Sequence, residues 1–364
     1  MYLKPIMDEW ARKNLVCPRD YSALEFANNV LFCGEGHKYH VVDGIPIMLL
    51  PDVPQTLWVS NASLETGRLA HNQPGSNLFV ESLGLSEHER SSLSKEEVNS
   101  ADVDPVVKYI VQATCGNLYK PLVRRLTKYP IPELRLPEGK GELFLDAGCN
   151  WGRWCIAAAR KGYRVVGIDP SFGAVVAARR VSAQLGVSAT YIVADARFLP
   201  FPAGSFDFVF SYSVFQHFSI KDVRASLKEI ARILKINGTS LIQMANAYGL
   251  RSLTHQAHRG FREARDFEVR YWTPRALKEV FGELIGTTSL EVDGYFGLGI
   301  QKTDTGLLPF KYRLVVYLSE LMRATSKRLH WLENLADSVY VRSARGDRKT
   351  ENLHSHTTIR VEAT

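Results

Sequence analysis

The residues with the clearest capacity for chemistry in this 364-residue chain fall in one stretch, LFLDAGCNWGRWCIAAARKGYRVVGIDPS. An apolar run ends in Asp146, a turn holding Gly148, Asn150 and Gly152 follows, and a helical pattern begins at once. Glycine lets the backbone come close to a ligand, a helix start presents free amides, and Asn150 tolerates positive φ better than most residues. Asp169 closes the next apolar run, 23 residues after Asp146, where a carboxylate suits a ribose diol. The combination predicts a loop that binds the edge of a nucleotide.

A second set, Cys17, Asp20, Cys33 and His37, has the spacing C-x2-D-x12-C-x3-H. Two knuckles of this kind predict a tetrahedral zinc site. An aspartate makes the set harder and weaker than four thiolates, and a ribbon held only by its core is the alternative. Cys115, Cys149 and Cys155 are expected to be small buried residues. Five cysteines spread over a long chain do not make a secreted disulfide framework. His217, with Tyr212 and Gln216 in SYSVFQHFS, titrates near neutrality and could serve as a base; capping a helix or lining substrate is the plainer role. The segment 251–272 gathers Arg251, His255, His258, Arg259, Arg262, Arg265 and Arg270 with Phe261, Tyr271 and Trp272. Such a mixture can hold a phosphate or carboxylate, or stack on a base, unless Glu263, Asp266 and Glu268 make it a solvated face.

Elements must carry these groups. LFLDA, YRVVGID, TYIVAD and FDFVFSYS alternate with the helical patterns WCIAAARK and AVVAARRVSAQL. Residues 222–234 place Val223, Leu227, Ile230, Ala231 and Leu234 on one helical face, after which Asn237-Gly238 turns the chain into TSLIQM. This predicts an α/β fold of βαβ units around a parallel sheet. Residues 15–51 read as a small independent β module, 84–104 as an acidic surface connection, and Val106 to Leu126 as a helical bridge. Residues 274–302 supply a further helix and strands. Residues 307–340 read as a basic amphipathic helix, with Lys311, Arg313, Arg323, Lys327 and Arg328, that packs on the domain or lies on an anionic membrane.

In order and spacing, residues 118–245 resemble the class I S-adenosylmethionine-dependent methyltransferases, especially their small-molecule branch. The family motif acid-x-Gly-x-Gly-x-Gly is matched by Asp146, Gly148 and Gly152, with Asn150 at the middle glycine, and EIARILKINGTSLIQM resembles the entry to the family's fifth strand. The resemblance implies that Asp169 holds the ribose, that Asp195 in VADARFLPFPAGSFD lies near the adenine amino group, that Ala196 offers its amide to the ring, and that His217 stands at the active-site mouth. Trp151 and Trp154 would wall the methionine end or form a packed pair. The Asn/Asp-Pro-Pro-aromatic signature of amino-nitrogen acceptors is absent. The N-terminal segment resembles the zinc-ribbon activators of tRNA and protein methyltransferases, through Tyr39, Asp43-Gly44-Ile45-Pro46 and Leu49-Leu50, with Asp20 at the usual second cysteine. The implied architecture is a Rossmann-like domain with a seven-stranded, mostly parallel sheet over 106–305. A zinc-ribbon-like module over 1–55, a linker over 56–105 and a basic helical extension over 306–364 flank it. The implied cofactor is S-adenosyl-L-methionine, with zinc in the ribbon, and the acceptor is a small, lipid-linked or sugar-linked molecule.

With 45% apolar and 23% charged residues the chain is neither disordered nor fibrous. No apolar run approaches the roughly 20 residues of a membrane span, and the start lacks a signal-peptide core, so a cytoplasmic location is expected. The net charge of +7 is compatible with plain solubility. A dinucleotide-dependent dehydrogenase competes for the same fold, but the GxNxG spacing and the acid at 195 argue against a pyrophosphate. An RNA acceptor is the main rival, because ribosomal RNA guanine methyltransferases also join a zinc ribbon to this fold. The slightly acidic balance of the first 140 residues argues against phosphate docking. A non-catalytic partner-binding scaffold is the third reading, opposed by the intact acids.

Overall fold

The computed structural model describes residues 7–69, 125–297, 300 and 302–346, with part of 103–122. The N-terminal region holds α1 (Glu9–Asn14) and a four-stranded antiparallel sheet of β1 (Glu25–Ala27), β2 (Val30–Phe32), β3 (Lys38–Val42) and β4 (Ile45–Pro46) in sequential order. Asn28 and Asn29 join β1 to β2 at φ 52° and 59°, a two-residue turn whose left-handed backbone asparagine accepts. The helix α2 (Trp58–Leu69) follows, within the stretch read from sequence as linker. Residues 70–102, which hold most of that expected linker, lie outside the described residues.

The main sheet contains β5 (Leu143–Ala147), β6 (Arg164–Asp169), β7 (Thr190–Val193), β8 (Phe206–Ser211), β9 (Leu234–Ala245), β10 (Gly286–Gly294) and β11 (Ser338–Arg345). Their order is β10-β11-β9-β8-β5-β6-β7, with four parallel neighbours and β11 antiparallel to both of its own. This is the seven-stranded, mostly parallel sheet the sequence implies. Apolar runs such as Phe144, Leu145 and Ala147 are fully buried because helices cover both faces. Those helices include α3 (Arg153–Arg160), α4 (Phe172–Gln184), α5 (Ile220–Ile233) and α7 (Pro274–Leu284), with α6 (Leu250–His258) between β9 and α7. Val223, Leu227 and Ile230 form the buried stripe of α5 as their spacing predicts, whereas Ala231 is half-buried and Leu234 already opens β9.

Two placements differ from the sequence reading. Residues 338–345 were read as part of a C-terminal extension that begins at 306, yet they form the strand between β9 and β10. The helix α8 (Phe310–Ser326) is therefore an excursion that leads back to the sheet. Likewise the N-terminal module is not independent. Ile47 bridges Val193 in parallel, the Met48 amide donates to the Val193 carbonyl at 2.7 Å, and Tyr21 Oη donates to Glu229 at 2.8 Å. Leu31, Met48 and Leu50 share one core with Ile168 and Ile192. Strands of two to five residues cannot bury a sufficient core alone, so the module completes its core on the edge strand β7.

Candidate cofactor loop and acceptor cleft

The sheet's strand order reverses between β5 and β8, and ligands of open α/β folds bind beyond the carboxyl ends of strands at such a point. The glycine loop leaves β5 there. Gly148 and Gly152 have φ of 86° and 82°, and Asn150 sits at 50° with its own Oδ1 accepting from the Trp151 amide at 2.8 Å. A Cβ on Gly152 would lie 2.7 Å from Tyr191 Oη and 2.9 Å from Ala178 Cβ, so only glycine fits between α3 and its neighbours. Asp169 accepts from the amides of Asn150 at 3.0 Å and Ser171 at 2.9 Å, which joins the ends of β5 and β6. Burial raises its pKa to about 6, and the two amide bonds pull it partly back. Asp146 is wholly buried, takes the Cys155 thiol at 3.3 Å, and is raised by burial to about 7.

This loop leaves buried polar atoms without partners. Asp146 Oδ1, Trp151 Nε1, Arg153 Nη1 and Trp154 Nε1 are four of the eight such side-chain atoms among the described residues, and all four lie within nine positions. Buried polar groups in native proteins are nearly always paired, so the concentration marks a place where a ligand supplies the partners. Arg153 stands out. It is 8% exposed, has no carboxylate within ion-pair distance among the described residues, and lies 5.7 Å and 5.5 Å from the ring centres of Trp154 and Tyr212. It also opens α3, where the helix macrodipole already disfavours a cation. That local conflict is legible in the sequence as a basic residue directly after Gly152.

Arg153 and Trp154 line a cleft of about 590 Å³ beyond β8, β9 and β10. Gly148, Asn150 and Asp169 lie beside it and do not line it. Ser213, at φ 60°, is held in this strained conformation by its amide bond to Gln243 Oε1 at 2.7 Å. Tyr212 Oη donates to Asp293 Oδ2 at 3.1 Å, and Ser338 Oγ does so at 2.7 Å. Among the described residues seven cationic side chains and four carboxylates line the cleft, and of the carboxylates Asp293 and Glu320 already face Arg135, at 3.6 Å and 3.3 Å. Gln243 and Asp293 carry no sequence signal; their strands bring them together.

The other sequence-predicted residues divide. Asp195 is buried, but its two oxygens take four bonds from Arg197 at 2.7 to 3.1 Å, and Arg197 reaches on to Asp222 at 3.0 Å. The carboxylate therefore has no oxygen open toward a base. The Ala196 amide has no partner among the described residues. His217 does not line the cleft, although Gln216 does. Its Nδ1 donates to the Phe267 carbonyl at 2.7 Å and its ring stacks on Phe267 at 4.0 Å, while burial lowers its pKa. Of the segment after β9, Arg251, His255 and Tyr271 line the cleft, whereas Arg262 is paired with Glu268 at 2.7 Å. Trp151 is fully buried against Tyr129.

The N-terminal knuckles converge. One donor atom from each of Cys17, Asp20, Cys33 and His37 lies within 4.8 Å of the others. His37 Nδ1 is 3.5 Å from Cys17 Sγ, 3.3 Å from Cys33 Sγ and 3.1 Å from Asp20 Oδ2. Ligands at about 2.0 to 2.3 Å from a tetrahedral zinc ion stand at comparable separations from one another. Tyr39 Oη lies 3.1 Å from Cys17 Sγ as an outer partner.

Residues 144–238 match the family model of the methyltransferase domain. The chain is similar to the ubiquinone biosynthesis O-methyltransferase of Chelativorans sp., at 28% identity over 156 residues, covering 42% of this chain and 56% of that protein. It is also similar to the tRNA (carboxymethyluridine(34)-5-O)-methyltransferase of Xenopus tropicalis, at 34% over 104 residues, covering 28% of this chain and 15% of that one. Among solved structures, a SAM-dependent methyltransferase of Methanosarcina mazei aligns over 42% of this chain and 85% of its own, at 22% identity and TM-score 0.38. The chain thus spans about half or less of the curated relatives it matches.

Proposed function

We propose that this chain is an S-adenosylmethionine-dependent methyltransferase acting on a small acceptor that carries an anionic group. The observation that carries the reading is the set of unpartnered buried polar atoms around the glycine loop, at the strand-order reversal of a sheet whose residues 144–238 match a methyltransferase domain. When bound, the cofactor supplies a methyl group activated on a sulfonium. Asp169 would accept from the ribose hydroxyls, Gly148 and Gly152 let the backbone lie against the ligand, and the Ala196 amide faces the ring. With its carboxylate held by Arg197, Asp195 shapes the adenine edge through its backbone. Arg153, buried and without a carboxylate partner among the described residues, holds the acceptor's phosphate or carboxylate.

A hydroxyl acceptor must lose a proton. His255 lines the cleft, and burial, then Arg251, lowers its pKa, so the neutral imidazole that a base requires is already present within the ordinary histidine range. Arg251 Nε donates to His255 Nε2 at 3.4 Å, which fixes the ring and leaves Nδ1, 3.3 Å from Tyr271 Oη, to take the acceptor's proton through that hydroxyl. His217 is assigned a positioning role, since its bond to Phe267 anchors the segment that carries Tyr271. Cys17, Asp20, Cys33 and His37 are assigned to one zinc ion that closes the two knuckles. The convergence of their donor atoms supports this.

An RNA acceptor is less favoured, because the cleft is a bounded pocket whose cations are partly neutralised by its own acids. Isothermal titration with S-adenosylhomocysteine, with NAD as control, tests the cofactor assignment. Binding of the first alone is expected. Binding of NAD, or of neither by folded protein, would reject it.

A further inference from the structure

The helix α8 is turned inside out. Phe310, Leu314, Tyr317, Leu318 and Leu321 recur at helical spacing on one face, and that face points to solvent, with Phe310 72%, Leu314 53% and Leu321 63% exposed. Its buried residues are Val316, Ser319 and Ser326. An amphipathic helix that packs on a core shows the reverse arrangement. The apolar stripe runs along about 16 Å of helix. Leu329 and Trp331 extend it, at 45% and 60% exposed.

We infer that this face docks on an anionic phospholipid bilayer. Charge supports that occupant: between Phe310 and Trp331 the chain carries Lys311, Arg313, Arg323, Lys327 and Arg328 against the single carboxylate Glu320. Glu320 is turned away from the stripe and paired with Arg323 at 2.6 Å and Arg135 at 3.3 Å. Lys311 and Arg328 are exposed beside the leucines, whereas Lys327 lines the cleft. An apolar stripe with Tyr317 and Trp331, flanked by unneutralised cations on a convex helix, fits the boundary between head groups and acyl chains. Among the described residues no helix is long and apolar enough to cross a membrane, so contact would be at the surface.

The placement also bears on the cleft. Its walls include α8, through Val316, Ser319 and Arg323, and α6, through Arg251 and His255. The opposite side of α6 exposes Leu250 and Leu253 at 47% and 41%. Apart from Val316, both wall helices thus turn polar groups inward and apolar groups outward, and docking brings the cleft mouth to the lipid surface. This part rests on the proposed acceptor cleft; the docking itself does not.

The test is sedimentation of the full chain with vesicles of phosphatidylcholine alone and of phosphatidylcholine with phosphatidylglycerol. Light scattering would give the oligomeric state without lipid. Binding to the anionic vesicles is expected, weaker at high salt and lowered about tenfold or more by Leu314→Glu with Leu321→Glu. Because both leucines are exposed, the variant should keep the parent's melting temperature and S-adenosylhomocysteine affinity, which separates a failure of docking from a failure of the enzymatic reading. A monomer that ignores anionic vesicles overturns the proposal, as does equal binding by the variant. A dimer broken by the same substitutions would assign the face to a second copy and overturn it as well.

Discussion

The knuckle cluster and the glycine loop place polar groups in opposite circumstances. The donors of Cys17, Cys33 and Asp20 already lie 3.1 to 3.5 Å from His37 Nδ1. Around the loop, Asp146, Trp151, Arg153 and Trp154 each leave a buried atom with no partner among the described residues. A cluster that partly satisfies itself can persist as a scaffold, whereas a cluster that does not needs a ligand to offset its desolvation. The first region is therefore expected to govern stability, and the second binding.

The sharpest way to break this contrast is Cys33→Ser. With zinc bound, the variant should lose its metal equivalent and about 4 kcal/mol or more of stability, read by metal analysis and denaturant unfolding, with cofactor affinity retained while the protein is folded. Unchanged metal content and stability would make the knuckles a metal-free ribbon. Next in size, Gly152→Ala forces a Cβ against Tyr191 and Ala178 at φ 82°, and should cost about 3 kcal/mol in unfolding and most cofactor binding. Asp169→Asn keeps the shape and removes the charge, so the affinity for S-adenosylhomocysteine should fall about tenfold by calorimetry while stability holds.

A pH series sharpens the same point. Ribose hydroxyls favour ionised Asp169, whose pKa without ligand is raised to about 6. Affinity should therefore fall as pH drops below about 6, by up to about tenfold per unit, and Asp169→Asn should flatten the profile. The raised values at Asp169 and Asp146 act on stability with the opposite sense. The ligand-free native state binds more protons than the unfolded chain between about pH 4 and 7, so their contribution is lost as pH rises through that window. The smallest effect is expected for His217→Asn, about threefold or less in turnover, against a large loss for His255→Asn. The reverse ranking would return the base to His217.

The sequence by itself determined the elements and the loop. Alternating apolar runs and helical stripes specify β5 to β9 and the helices between them, because burial on both faces demands that composition. Gly148, Asn150 and Gly152 announce positive φ, since few other residues accept it. The knuckle spacing foretold that Cys17, Asp20, Cys33 and His37 would meet. Tertiary structure decided the rest. That residues 338–345 slot between β9 and β10 is a pairing choice between segments nearly a hundred residues apart, which local periodicity does not encode. Only packing shows that Arg197 occupies Asp195, that Phe267 holds His217 by its carbonyl, and that Arg153 has no carboxylate partner among the described residues. These depend on which side chains arrive from other strands, and the energy of a buried charge is set by those neighbours rather than by its own position in the chain.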